Sequence, residues 1–95
     1  MLILVIYDIS DTETRTRLAD YLRAKGFVRI QRSTFAGRPL PHVLRDVERT
    51  LARFIKDAGD VIHLVPVPEN YIPHIRVYGH PFADIAQKRT LVFVN

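Results

Sequence analysis

The chain has 95 residues, 47% hydrophobic and 25% charged, which is typical of one small globular domain and excludes a disordered tail. It contains no cysteine, which excludes a disulfide scaffold, a thiolate zinc site and cysteine catalysis, and predicts a reducing, cytoplasmic location. Fourteen lysines and arginines against ten acidic residues give a net charge of +4. Most of these cations are arginines, which contact phosphate bidentately, so nucleic acid is a reasonable partner.

The longest apolar run extends from Met1 to Tyr7 and is far shorter than the ~20 residues needed to cross a bilayer. It has neither a basic leader nor a small-residue cleavage site, and Asp8 ends it abruptly. Its continuous apolarity instead predicts a strand, Leu2 to Tyr7, that is buried on both faces. We therefore expect neither a membrane partner nor an export signal.

A helix start signal follows this strand. Ser10 is a predicted N-cap, and Glu13 stands three residues later in the register of a capping box. The pattern predicts a helix from about Asp11 to Lys25 that stops at Gly26. Its apolar stripe consists of Leu18, Ala19, Tyr21 and Leu22.

Two short strands and a second helix are predicted for the middle of the chain. The strands cover Phe27 to Gln31 and Ser33 to Gly37. The helix extends from about Pro41 to Ala58 with one regular apolar stripe, and Gly59 ends it. Together with the first strand and helix, these segments give the order strand, helix, strand, strand, helix.

Three further strands are predicted after the second helix. Val61 to Val67 is the first of them, and Pro66 and Pro68 argue against a central position for its end. Ile75 to Tyr78 is a short candidate, and Thr90 to Val94 is a final apolar strand.

This order predicts an α+β fold, a ferredoxin-like split βαβ sandwich (βαββαβ plus a C-terminal strand) that forms one domain over residues 1–95. Both helices of such a fold cover one face of an antiparallel sheet and leave the other face open. The first and last strands are apolar on both sides, and the chain has nothing left to cover the second face. We therefore expect a second copy to cover it in a symmetric homodimer.

Asp8 is the strongest candidate for chemistry because it is a carboxylate at the end of a buried strand, just before a helix. Mg²⁺ and Mn²⁺ prefer carboxylate oxygens and are usually held by one or two carboxylates plus water and phosphate. One Asp8 is a poor site, whereas two copies facing each other across a two-fold axis make an adequate one. The alternative is a solvated turn acid. Asp11 is a weaker second candidate that fits the helix start better.

Seven of the arginines fall into three groups. Arg15 and Arg17 are predicted partly on the inner side of the first helix, where a guanidinium needs a carboxylate, a carbonyl or a ligand phosphate. A structural ion pair, for example with Asp8 or Asp11, is the alternative. Two more arginines lie on or beside the second strand, and three form a row on the second helix that is either a solvated face or a track for a phosphate backbone. These are Arg29 and Arg32, and then Arg45, Arg49 and Arg53.

The four histidines lack the spacing of metal ligands on a helix, so a zinc site is not expected. No serine-triad, P-loop or dinucleotide signature is present.

Four short motifs occur in order within the first 37 residues. They are Tyr7-Asp8-Ile9, Arg15-x-Arg17-Leu18, Gly26-Phe27-x-Arg29-Ile30-Gln31 and Ser33-Thr34-Phe35-x-Gly37. Their order and spacing resemble the small CRISPR-associated nuclease family, the second core protein of spacer acquisition (Cas2). Thr34 stands where valine is usual in that pattern, a conservative difference for a strand.

The resemblance implies a metal-dependent nuclease in which Asp8 is both the catalytic residue and the metal ligand. It implies a homodimer whose C-terminal extension, about residues 68–95, packs on the partner subunit. Other positions that match the family pattern would support the nucleic acid or the site. These are Tyr7, Arg15, Arg17, Arg29, Ser33 and Phe35.

The implied function is hydrolysis of phosphodiester bonds in RNA, double-stranded DNA or both, during spacer acquisition for antiviral defence. Mg²⁺ is the expected cofactor, with Mn²⁺ as an alternative, and the CRISPR integrase subunit (Cas1) is an expected partner. The main alternative is a non-catalytic homodimeric scaffold that bridges integrase subunits and binds duplex DNA along Arg45, Arg49 and Arg53. A toxin-like ribonuclease and a small-molecule regulatory domain of the same fold also remain open.

Overall fold

A computed structural model describes residues 1–83 and the backbone of residues 92–93. The four main strands are β1 (Leu2–Asp8), β2 (Val28–Gln31), β3 (Thr34–Gly37) and β4 (Val61–Val67). They form an antiparallel sheet in the order β2-β3-β1-β4. Two helices connect them in the predicted ferredoxin-like order, so the α+β fold is confirmed.

Helix α1 (Thr12–Ala24) begins one residue later than predicted, and its cap is Asp11. The Asp11 carboxylate accepts hydrogen bonds from the Thr14 amide at 2.9 Å and the Thr14 hydroxyl at 2.8 Å. The predicted Ser10 cap is therefore wrong, because the Ser10 hydroxyl donates instead to a distant carboxylate described below. Gly26 ends the helix as predicted, with a φ of +91° that favours glycine.

Helix α2 (Pro41–Thr50) tightens into a 3₁₀ helix over Leu51–Phe54, and the helical segment ends there. The prediction of a helix to Ala58, ended by Gly59, is wrong. Ile55 has extended dihedral angles, and the following amides donate to the carboxylate of Asp60 instead of to helix carbonyls.

Strand β4 has the predicted bounds and lies at an edge of the sheet, as its prolines require. A 3₁₀ helix, Glu69–His74, follows it. Strand β5 (Arg76–Val77) then pairs in parallel with β6 (Val92–Phe93). The rest of the predicted final strand, and residues 84–91 of the C-terminal extension, lie outside the described residues.

The helices cover one face of the sheet, and the other face is partly open. Ile3, Val5 and Tyr7 are buried on the face that packs against both helices, together with Leu22 and Val47.

Within residues 1–83, no helix has the length and apolarity that a bilayer crossing would require.

The opposite face is only partly covered by Ile72 of the second 3₁₀ helix. On that face Ile6 keeps 39% and Val65 keeps 36% of their surface exposed. The open apolar face predicted from the sequence is thus present in the described residues.

Candidate active site

Asp8 is the last residue of β1, and its side chain is exposed beside a cleft of about 410 Å³. In the alternation of the strand, Asp8 follows Leu4 and Ile6 on the open face, whereas Tyr7 is buried toward the helices. The cleft, called the Asp8 cleft below, brings together five of the residues predicted from the sequence, and Arg32 lines it as well. The five are Tyr7, Asp8, Arg15, Arg29 and Ser33.

Arg15 holds the loop that follows Asp8. Its Nη1 donates to the carbonyl oxygens of Ile9 at 2.8 Å and Ser10 at 3.0 Å, and its Nη2 donates to the Thr12 hydroxyl at 2.8 Å. The alternative of an ion pair with Asp8 or Asp11 is wrong for Arg15, because its guanidinium donates to these backbone carbonyls instead. Arg15 therefore positions the backbone next to Asp8.

Arg17 lies outside the Asp8 cleft. The alternative of a structural ion pair is confirmed for Arg17, with Glu13 as the partner: Nη1 lies 2.8 Å from Oε1, one helical turn away. Its predicted placement toward the inner side is wrong, because two residues turn the helix by about 200° and carry Arg17 away from the side of Arg15. Such an exposed pair contributes little to stability.

Arg29 lies over the buried ring of Phe35, with its Cζ atom 5.2 Å from the ring centroid. The same ring stacks against Tyr7 at 6.3 Å between centroids. The Nε atom of Arg29 is buried and has no hydrogen-bond partner within the described part of the chain. Arg29 also lines the Asp8 cleft, so its guanidinium is placed to contact an anionic ligand there. Phe35 is fully buried and positions Arg29.

One chain supplies few ligands for a cation. Among residues 1–83, no group of three or more histidine, aspartate or glutamate side chains converges on a common point. Asp11 is engaged as the helix cap, and its hydrogen bonds from Thr14 lower its pKa. Asp8 fits a hard divalent cation in ligand type but needs a further carboxylate, water or phosphate to complete a site.

A pair of carboxylates that the sequence analysis missed anchors the same loop from the other side. Asp60 accepts the amide hydrogens of Ser10 at 3.0 Å, Lys56 at 3.0 Å and Asp57 at 2.9 Å. The three backbone donors lower the pKa of Asp60 to about 2. Asp57 accepts the Ser10 hydroxyl at 2.7 Å. The Asp-x-Gly-Asp turn before β4 is a recognisable carboxylate-capped turn, but its contact with Ser10 spans 50 residues.

The row of arginines on the second helix does not line the Asp8 cleft. All three side chains are exposed. Arg45 and Arg49 keep the predicted spacing on α2, whereas Arg53 lies in the 3₁₀ helix and departs from a regular α-helical row.

Comparison with known proteins places the chain in a family. A sequence model of CRISPR associated protein Cas2 matches residues 1–74. CRISPR-associated endoribonuclease Cas2 2 of Pyrobaculum aerophilum is 42% identical over 81 residues, which cover 85% of this chain and 89% of that protein. A Cas1/Cas2 endonuclease fusion of Thermoproteus tenax is 38% identical over 72 residues, 76% of this chain and 27% of the fusion.

A solved structure gives the same result. The crystal structure of Streptococcus pyogenes Cas2 at pH 6.5 superposes with a TM-score of 0.64 at 27% identity, covering 83% of this chain and all of that one. The resemblance seen in the four motifs is thus confirmed. The chain belongs to the Cas2 family of CRISPR-associated proteins.

Proposed function

We propose that the protein is a metal-dependent endoribonuclease that acts in CRISPR spacer acquisition, with Asp8 as its catalytic metal ligand. The observation that carries this proposal is the composition of the Asp8 cleft. It combines an exposed carboxylate at a strand end with Arg29 and Arg32, which have no carboxylate partner in the described chain. The name of the Pyrobaculum relative supports RNA as the substrate.

The proposal includes a homodimer in which two copies of Asp8 share one cation. Ile6 and Asp8 are two residues apart on the open face of β1, so both point away from the helices. A second copy that covers exposed Ile6 and Val65 also brings its own Asp8 toward the first. The apolar face therefore supports both the dimer and the completed site.

Mg²⁺ or Mn²⁺ held between the two Asp8 carboxylates would activate a water and offset negative charge on the phosphoryl group. Arg29, which lies over Phe35 and lines the cleft, would contact a phosphate oxygen through its guanidinium. Arg15 would keep the Ile9–Ser10 backbone, and thereby Asp8, in one position. Ser33, at the turn between β2 and β3, lines the same cleft.

The test is a cleavage assay on single-stranded RNA and duplex DNA with Mg²⁺, Mn²⁺ or EDTA. We expect the wild type to cut RNA with either metal and to be inactive in EDTA. Asp8→Asn should lose cleavage while keeping its fold and dimer, because Asp8 is exposed. Asp20→Asn, an exposed acid of α1 outside the Asp8 cleft, is the matched control and should stay active. Full cleavage by Asp8→Asn would end the assignment.

A scaffold that bridges Cas1 subunits and binds duplex DNA is the second candidate. The Thermoproteus fusion, which joins Cas1 and Cas2 in one chain, supports a Cas1 partner. Exposed Arg45, Arg49 and Arg53 supply the cationic surface for DNA. Replacing all three with Gln should weaken duplex binding and reduce the slope of log affinity against log salt by up to about 3. An unchanged slope would contradict this role.

A further inference from the structure

Ser10, in the loop that follows Asp8, is held from two sides of the molecule. On the side of α1, Arg15 Nη1 donates to the Ser10 carbonyl oxygen at 3.0 Å. On the side of the turn before β4, Asp60 Oδ1 accepts the Ser10 amide hydrogen at 3.0 Å. The Ser10 hydroxyl donates to Asp57 Oδ2 at 2.7 Å. The amide, the carbonyl and the side chain of Ser10 are thus all bonded to other segments.

The side chain of Asp57 is not needed for its own turn. That turn is closed by Asp60, which accepts the amide hydrogens of Lys56 and Asp57. Among residues 1–83, the Asp57 carboxylate makes no ion pair and its only hydrogen bond is the one from Ser10. Two carboxylates beside one hydroxyl, at 2.7 Å and 3.2 Å, repel each other. The Asp57 side chain therefore acts on the loop instead of on its own turn.

The Ser10 contacts continue the hold on the chain beyond the end of a strand. Asp8 pairs with Val61 as the last residues of the β1–β4 register. Asp60 immediately precedes Val61, so its bond to Ser10 fixes the direction in which the chain leaves the sheet. Mg²⁺ demands near-ideal octahedral geometry, and a small displacement of a ligand is therefore costly.

We infer that Asp57 and Asp60 position Asp8 for its cation by fixing Ser10. This inference rests on the proposed function and adds two positioning residues to it. Neither carboxylate lines the Asp8 cleft, and no group of three or more acidic or histidine side chains converges among residues 1–83. The effect of the two carboxylates on a cation therefore passes through the backbone of the loop instead of through coordination.

The test is binding of Mn²⁺ to the full-length protein without RNA, measured by electron paramagnetic resonance of the unbound ion. Ser10→Ala removes the hydroxyl and leaves every charge in place, whereas Asp57→Ala removes the acceptor of that hydroxyl. Each should weaken Mn²⁺ binding by roughly tenfold, the lower end of the effect of groups that orient a metal ligand. The double variant should bind like Asp57→Ala alone, because both changes remove the same hydrogen bond. Ser10→Thr retains a hydroxyl and should bind like the wild type.

Asp20→Ala is the matched control, because it removes an exposed carboxylate outside the Asp8 cleft and should leave Mn²⁺ binding unchanged. Urea denaturation of the same variants separates folding from positioning, since a loss of stability alone leaves the Mn²⁺ affinity of the folded protein unchanged. Wild-type affinity in Ser10→Ala would overturn the inference. A loss confined to Asp57→Ala would also overturn it, because charge alone would then account for the effect.

The same experiment distinguishes this inference from the proposed function. A wild type that binds no Mn²⁺ would overturn both. A wild type that binds Mn²⁺, with weaker binding in Ser10→Ala and Asp57→Ala, but that never cleaves RNA would overturn the nuclease proposal and leave the positioning of Asp8 supported.

Discussion

The two faces of the four-stranded sheet differ in how far one chain completes them. The face under α1 and α2 buries Val5, Leu22 and Phe35 completely. The other face leaves Ile6 and Val65 exposed, and Asp8 stands at its end. The difference teaches that one chain buries its main core on the covered face, which is why we propose that the open face serves self-association.

A substitution on the covered face should cause the largest change in the free energy of unfolding. Leu22→Ala deletes a fully buried side chain and should lower the free energy of unfolding by about 2–5 kcal/mol. Urea denaturation followed by circular dichroism measures this. A loss below about 1 kcal/mol would mean that the helix-covered face is not the source of stability.

A substitution on the open face should change self-association instead of folding. Ile6→Lys places a charge on the face that a second copy would cover, and should weaken self-association by at least about 100-fold. Sedimentation velocity measures the change. Ala24→Lys, which adds the same charge at an exposed position near the end of α1, should leave association unchanged. If both variants remain equally dimeric, the open face is not the interface.

Arg15 and Arg17 look equivalent in the sequence, but only Arg15 contacts the loop at the end of β1. Arg15→Gln removes the donors to the Ile9 and Ser10 carbonyls and should slow RNA cleavage by roughly 10- to 100-fold, since small displacements at a reacting centre have such effects. Arg17→Gln breaks only an exposed pair with Glu13 and should change stability by about 0.5 kcal/mol or less, with cleavage retained. Equal cleavage rates for the two variants would contradict the positioning role of Arg15.

The smallest expected effect is on how the melting temperature depends on pH. The pKa of Asp60 is lowered from 3.8 to about 2, so the folded state binds this proton more weakly than the unfolded state. The stabilisation is present above about pH 4 and is lost as the pH falls toward 2. Asp60→Asn should therefore reduce the fall in melting temperature over that range, relative to the wild type. Asp20→Asn, an exposed acid outside the loop, should keep the wild-type fall, and an unchanged fall for Asp60→Asn would contradict the account.

The sequence predicted local features well and missed those that depend on distant partners. The bounds of β4 and the stop at Gly26 follow from neighbouring residues. Ser10 and Asp11 are both good caps, and the choice between them depends on Asp57, which lies 47 residues from Ser10.

The candidate site shows the same limit. Five of its residues were predicted together because their motifs match a family pattern. The acceptors of Arg15 are backbone carbonyls, which carry no side-chain signature. The early end of the second helix depends on Asp60, whose carboxylate draws the amides of Lys56 and Asp57 out of the helical pattern.

The central claim, that two copies of Asp8 share one cation, is tested most directly with mixed dimers. Wild type and Asp8→Asn are unfolded together, refolded at equal amounts and assayed for RNA cleavage with Mg²⁺. A shared site is complete only when both subunits are wild type, so about a quarter of the activity of an all-wild-type sample should remain. Retention of about half would show that each chain carries a complete site of its own, and would contradict the claim.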